Sequence, residues 1–313
     1  MTGVASVVEI ALVGAGRMGG MHLRALADAE SIRVTDVVEP YTPRRQQCAA
    51  AGLRAYATVQ DLLASRKPDG VLVCAPTDQH APVVRQLLAS GVPVLCEKPA
   101  GLTWEEVEET GRLAAAAGTA LQVAYWRRFV PGLVALRERI VAGELGQILH
   151  LVCAQWDAAP PPEGFRTTSG GIFVDMGVHE FDEIRWLTGL EIVAVQAVTT
   201  PAVDADARPD ADVGQALLCL TDATTAVVSL GRHHPVGDLV SVEVFGTAGH
   251  QRLVVLDPAD GEAPMLDALR RQAESFAELL RTGVRQGAGI ADAVAAMRTA
   301  DSASKSADRP HRP

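Results

Sequence analysis

Three short constellations in this chain combine residue types and spacings that suit chemistry. Gly14-x-Gly16-x-x-Gly19 follows an apolar run and opens a helical pattern, and Glu39 stands 20 positions after Gly19. Lys98 closes another apolar run and is followed at once by Pro99. Asp175 and His179 are four residues apart, the interval that brings two side chains to one face of a helix. The first constellation suits a dinucleotide. Gly14 permits a tight turn, Gly16 lets a pyrophosphate approach the backbone, and Gly19 lets helix and strand pack closely. The helix start, through Arg17 and Met18, offers free N–H groups and the positive end of a dipole to the phosphates. A carboxylate at Glu39 accepts from a ribose diol and repels a 2′-phosphate, so NAD is expected in preference to NADP. Arg44 and Arg45 follow closely and face either a 2′-phosphate or the adenine ring.

These groups need elements to hold them. Strand-like apolar runs occupy residues 7–13, 32–38, 70–75, 93–96 and 120–124. Helical patterns lie between them at 21–29, 43–51, 82–89 and 103–117, the last opened by the capping box Thr103-x-x-Glu106. Repeated βα units with short loops predict a doubly wound parallel sheet. Ligands of such sheets bind beyond the carboxyl ends of the strands. Pro76, Thr77 and His80 follow one such end, and Glu97 and Lys98 form another. His80 either lines the nicotinamide pocket or caps the helix after it. The chain has only 3 lysines among its 28 basic residues, so a lysine at a strand end stands out. Beyond residue 129 the pattern changes. A helix at 132–142 precedes strand patterns at 148–155, 192–199, 215–220, 225–230 and 239–245, several separated by short turns, as antiparallel pairing requires. Residues 200–214 read as an exposed loop, and 303–313 as a frayed tail.

Composition narrows the function classes. With 313 residues and 48% apolar content, the chain can bury a sizeable core. A formal charge of −10 argues against nucleic acid and anionic membranes as partners. No apolar run reaches 18 residues, and the N-terminus lacks the basic region of a signal peptide. The five cysteines are scattered, with no CxxC and no zinc spacing, which predicts buried reduced thiols in a cytoplasmic protein and no metal site.

Residues 75–106, running from APTDQH through CEKPAG, resemble the glucose–fructose oxidoreductase / inositol dehydrogenase / MocA family, as do SGGIFVDMGVHEFDEIRWLTG (169–189), FGTAGH (245–250) and the helical patterns at 269–283 and 291–306. The resemblance covers nearly the whole chain. It implies a Rossmann NAD-binding domain over about 1–124. It also implies an α+β domain over about 125–313, built on a large, mostly antiparallel sheet that binds substrate and mediates oligomerisation. It further implies that Lys98, Asp175 and His179 form the catalytic group. His179 then serves as general base, Asp175 orients it or shares the proton, and Lys98 stabilises negative charge on the reacting oxygen. Arg127 or Arg128, in VAYWRRFVPG (123–132), is expected to donate to substrate hydroxyls. Trp156, Asp157, Asp182 and His233 are further substrate-side candidates, Trp156 through ring packing. The motif at 170–187 is closest to inositol 2-dehydrogenases, whereas 157–168, with three successive prolines, matches no pattern of known substrate. The expected activity is oxidation of a secondary hydroxyl on a cyclic polyol or sugar: inositol, aminocyclitol or pyranose. A ketosugar reductase, an NAD-dependent glycosidase and a non-catalytic nucleotide sensor are the alternatives. A homodimer or homotetramer is expected.

Overall fold

In a computed structural model, which describes residues 6–203 and 210–308, the chain divides into two units. The first comprises the described residues through Gly101, then Glu105–Trp126 and Leu266–Ala291; the second comprises Leu102–Trp104, Arg127–Met265 and the described residues from Asp292 onward.

The first unit is a parallel six-stranded sheet. Its strands are β1 (Val8–Val13), β2 (Ile32–Val38), β3 (Arg54–Tyr56), β4 (Gly70–Val73), β5 (Val94–Glu97) and β6 (Leu121–Ala124). They pair in the order β3-β2-β1-β4-β5-β6. Helices α1 (Arg17–Ala25), α2 (Thr42–Ala50), α3 (Val59–Ser65), α4 (Thr77–Ala89) and α5 (Trp104–Ala116) link them. Strands covered on both faces read as unbroken apolar runs. Accordingly Ile10, Leu12, Leu72 and Leu95 are all fully buried, each contributing about 1.5–3 kcal/mol of burial. The strand order reverses between β1 and β4, which makes their carboxyl ends the switch point where such sheets bind ligands.

Several local expectations are revised. Helix α1 starts directly at the glycine turn, at Arg17. Helix α4 starts at Thr77 and carries Pro82 inside it, so its hydrogen-bond ladder is interrupted in the second turn. The β3–α3 unit has no counterpart in the sequence reading, although Thr58 and Asp61 close a reciprocal capping box before α3. Most of α9 (Ala263–Thr282) belongs to the first unit. Its Ala273, Phe276 and Ala277 are fully buried in the cluster that holds Ile10 and Leu72, and a Cβ on Gly70 would come within 2.9 Å of the Phe276 ring.

The second unit contains α6 (Pro131–Val141), β7 (Ile148–Trp156), α7 (Glu163–Arg166), α8 (Val178–Thr188), β8 (Ile192–Pro201), β9 (Ala211–Leu220), β10 (Thr225–Gly231), β11 (Leu239–Gly246) and β12 (His250–Leu256), and most of α10 (Ile290–Ala307). The sheet order is β12-β11-β7-β10-β9-β8, antiparallel except for the β7–β10 pair. Alternation along β9 and β10 marks its two faces. Ala216, Leu218, Ala226, Val228 and Leu230 are buried on one, while Leu217 and Cys219 are exposed on the other. Cys219 is thus an exception to the expectation of buried thiols. The expected 200–214 loop is shorter than read: β8 and β9 reach Pro201 and back to Ala211, and residues 204–209 lie outside the described part. The expected tail is helical through Ala307, because Ala300 and Ala303 are fully buried there; residues 309–313 lie outside the described part. Among the described residues no helix is long and apolar enough to cross a membrane.

Candidate active site

In the first unit the glycine turn has the form a dinucleotide needs. Gly14 has φ +89°, and a Cβ there would lie 2.6 Å from the Cys74 carbonyl oxygen and 2.8 Å from the Ala75 nitrogen. A Cβ on Gly19 would overlap the Gly14 carbonyl oxygen. Gly16 is different. It is the N-cap of α1, no side chain caps that helix, and a Cβ there would meet nothing within 4 Å. Open space before uncapped N–H groups is the cradle a pyrophosphate fills. Arg17 beside it is exposed and Met18 half-buried.

Glu39 closes β2 and is buried beside this turn. Its carboxylate accepts from the Ala15 N–H at 3.0 Å, the Tyr41 N–H at 2.9 Å and Arg44 Nη1 at 3.3 Å. A carboxylate has about four acceptor sites, so one remains for a ribose hydroxyl. Arg44 therefore faces Glu39, with its guanidinium also 5.5 Å from the Tyr41 ring centre. Arg45 is tied to the Glu39 and Pro40 carbonyls.

Pro76 is the N-cap of α4 and Thr77 its first residue. His80 is 2% exposed; its Nδ1 lies 2.6 Å from the Pro99 carbonyl and its Nε2 2.8 Å from that of Ala75. No side chain caps α4. His80 ties the loop after β4 to the loop after β5. Burial pushes this imidazole below its ordinary value, against the pull of the two carbonyls. Glu97 is also turned inward, away from the role of cofactor ligand. Its Oε1 is 2.7 Å from His22 Nε2 on α1, and its Oε2 accepts from the Lys98 N–H at 3.1 Å. Lys98 itself is half-buried at the end of β5, and its peptide bond to Pro99 is cis.

In the second unit Gly170 and Gly171 both take left-handed φ, +84° and +87°, and lead into a π turn over Phe173–Gly177 that runs directly into α8. Asp175 lies in that π turn, where the backbone winds more widely than an α-helix. The simple α-helical i, i+4 geometry expected of the Asp175–His179 pair is modified accordingly. Asp175 and His179 are 8% and 6% exposed. Arg232, the residue after β10, is fully buried, with Nη1 3.1 Å from Asp175 Oδ2. Asp157 follows β7, accepts from Gln155 Nε2 at 3.1 Å, and is pushed up by burial and, less strongly, by the nearby Asp175 charge.

Other candidates are engaged elsewhere. Arg128 forms a two-pronged pair with Asp182 at 2.8 and 2.6 Å, so these two groups satisfy each other rather than a substrate. Arg127 is buried against Glu180 at 2.6 Å, Gln155 at 2.7 Å and Glu183 at 3.3 Å. Burial pushes the Glu183 carboxyl up to about 7, against the pull of Arg127. Trp156 lies on the sheet face opposite Leu151 and Cys153, flat across Gly231, with its indole N–H donating to Ser229 at 3.3 Å. It packs on the sheet and does not face α8. His233 pairs with Asp212 at 3.0 Å. The proline-rich 157–168 segment ends in α7, where buried Arg166 pairs with Asp212 at 2.9 Å.

The fold and these groups define an oxidoreductase with an NAD-binding Rossmann domain, and the comparisons show which family. Residues 8–125 match the oxidoreductase family with NAD-binding Rossmann fold, and residues 133–252 match the GFO/IDH/MocA C-terminal domain. The chain belongs to the Gfo/Idh/MocA family. It is 43% identical to the rhizopine catabolism protein MocA of Rhizobium meliloti, over 95% of this chain and 94% of that protein. It is 37% identical to the myo-inositol dehydrogenase Hyg17 of Streptomyces leeuwenhoekii, over 89% and 86% of the two chains. Among solved structures, a putative myo-inositol dehydrogenase from Sinorhizobium meliloti 1021 superposes with a TM-score of 0.88 at 28% identity, covering 96% of this chain and 97% of that one.

Proposed function

We propose that this protein is an NAD-dependent dehydrogenase that oxidises a secondary hydroxyl of a cyclic polyol or sugar. One observation carries the cofactor side: the glycine turn, Glu39, Thr77 and Lys98 follow the carboxyl ends of β1, β2, β4 and β5 in one parallel sheet. That is the edge along which such sheets bind dinucleotides. The substrate class is supported by relatives named as inositol dehydrogenases over most of their length.

When bound, NAD supplies the acceptor for the hydride leaving the carbinol carbon. The chain's own groups handle the proton. His179 takes it from the hydroxyl as the carbon–oxygen double bond forms, and Asp175 orients the imidazole. Lys98 is the first unit's candidate for stabilising negative charge that develops on a reacting oxygen. Asp157 is the second acidic group on the substrate side. The products are a cyclic ketone, NADH and a proton.

Assembly into a homodimer or homotetramer belongs to the same reading. The outer face of the second sheet carries Val152, Leu217, Val227, Phe245 and Val254, a surface suited to a second copy. The test of function is NADH formation with NAD and a panel of inositols, aminocyclitols and pyranoses. Turnover of at least one cyclic polyol or sugar is expected; turnover of none, with NAD bound, contradicts the proposal.

A further inference from the structure

We propose that Arg232 is a positioning residue for this reaction: its guanidinium holds the Asp175 carboxylate in the orientation the proton transfer requires. The proposal rests on the reading of Asp175 and His179 given above.

Arg232 is fully buried, with two hydrogen bonds and one close ion-pair contact from its fork. Nη1 meets Asp175 Oδ2 at 3.1 Å, Nη2 lies 2.7 Å from Asp210 Oδ2, and Nε donates to the Ala211 carbonyl at 3.3 Å. Its own backbone N–H donates to the Asp212 carbonyl at 2.9 Å. The arginine is thus fixed from β9 and its approach, and it presents one nitrogen to Asp175. That matters because Asp175 sits in a π turn, so a regular α-helical ladder does not set its direction. The charged groups that face it include Arg232 from the end of β10 and Asp157 from the end of β7, with His179 one turn further along its own helical segment. Arg232 opposes the repulsion between the two aspartates. A lysine in its place keeps the charge but lacks the planar fork that spans two carboxylates and a carbonyl at once.

The experiment is a double-mutant cycle. Arg232→Met and Arg232→Lys are made alone and with Asp175→Asn. A second background, Asp210→Asn, removes one of the two buried carboxylates so that Arg232→Met leaves a smaller imbalance to fold against. kcat, KM and NADH affinity are measured on the best cyclic polyol or sugar. In the Asp210→Asn background, Arg232→Met is expected to lower kcat about 100-fold, with KM and NADH affinity within about threefold, and lysine to recover about tenfold of the loss. With Asp175→Asn already present, Arg232→Met is expected to cost less than about threefold more, since both act through one carboxylate. The same factor in both backgrounds, or a loss that only follows the folded fraction, overturns the proposal. A wild-type protein that turns over no member of the panel removes the functional reading instead. Urea unfolding of the same cycle then still decides the pair. Coupling of at least about tenfold in the unfolding constant supports it, and additivity overturns it.

Discussion

The imidazole Nε2 of His22 and the carboxylate Oε1 of Glu97 lie 2.7 Å apart in the interior of the first unit, with His22 fully buried. Through this contact the helix that carries the dinucleotide turn is tied to the residue before Lys98, whose N–H the same carboxylate accepts. Burial pushes the Glu97 carboxyl up, but the hydrogen bond and charge of His22 together with Lys98 outweigh it, and the group titrates below its ordinary value. Its contribution to stability is therefore present above the ordinary carboxylate range and is lost as pH falls through the lower, folded value. His22→Ala is expected to cost about 1–3 kcal/mol at pH 7 and to lower kcat about tenfold, with His22→Gln recovering part of both. Urea unfolding and steady-state rates check this; an unchanged kcat in a fully folded His22→Ala protein counts against the link to Lys98.

Glu183 behaves in the opposite sense. Its carboxyl is pushed up to about 7, so the folded state holds its proton more tightly than the unfolded state. The associated stability is full below about pH 4.5 and is lost as pH rises through about 7. Glu183→Gln keeps a neutral group there. Relative to wild type, the variant is expected to gain stability between pH 5 and 8, by about 1–3 kcal/mol at the upper end. Melting temperatures across that range decide it, and a gap that narrows toward alkaline pH would show the sign to be wrong.

Glu39 anchors the turn, since it accepts from Ala15 and Tyr41 N–H groups, and in the proposed function it also accepts from the ribose. Glu39→Gln is expected to weaken NADH binding about tenfold and NADPH binding much less. Fluorescence titration with both nucleotides reads the ratio. Equal weakening of the two would assign Glu39 to the turn alone.

The Arg128–Asp182 pair has both partners buried and two short hydrogen bonds. Asp182→Asn is expected to destabilise the protein by about 3–5 kcal/mol while leaving KM for the polyol within about threefold. A large rise in KM without loss of stability would return Asp182 to the substrate.

Short-range pattern makes much of the first unit legible. The glycine turn, Glu39 and the strand ends at Thr77 and Lys98 all follow from runs that are apolar because both sheet faces are covered. The three-residue β3 is too short for periodicity to register, and β12 is obscured by the exposed His250 and Arg252 on its outer face. The site is less legible where a buried charge decides it. Arg232 precedes His233, which draws attention as a titratable group, yet the fully buried arginine is the one that meets Asp175. Nothing in residue type separates it from Arg128, whose partner turns out to be Asp182. Trp156 shows the same limit. Its place at a strand end is readable, but which face it takes depends on the register with Gly231.

The most direct test is the rate of NADH formation by wild type and Lys98→Ala, with NAD and the panel of inositols, aminocyclitols and pyranoses, beside NADH binding to both proteins. Wild-type turnover on a cyclic polyol or sugar is expected, with kcat falling about 100- to 1,000-fold in the variant and NADH affinity within about tenfold. Undiminished turnover in Lys98→Ala, or tight NADH binding with no turnover of any panel member, would contradict a dehydrogenase working through Lys98.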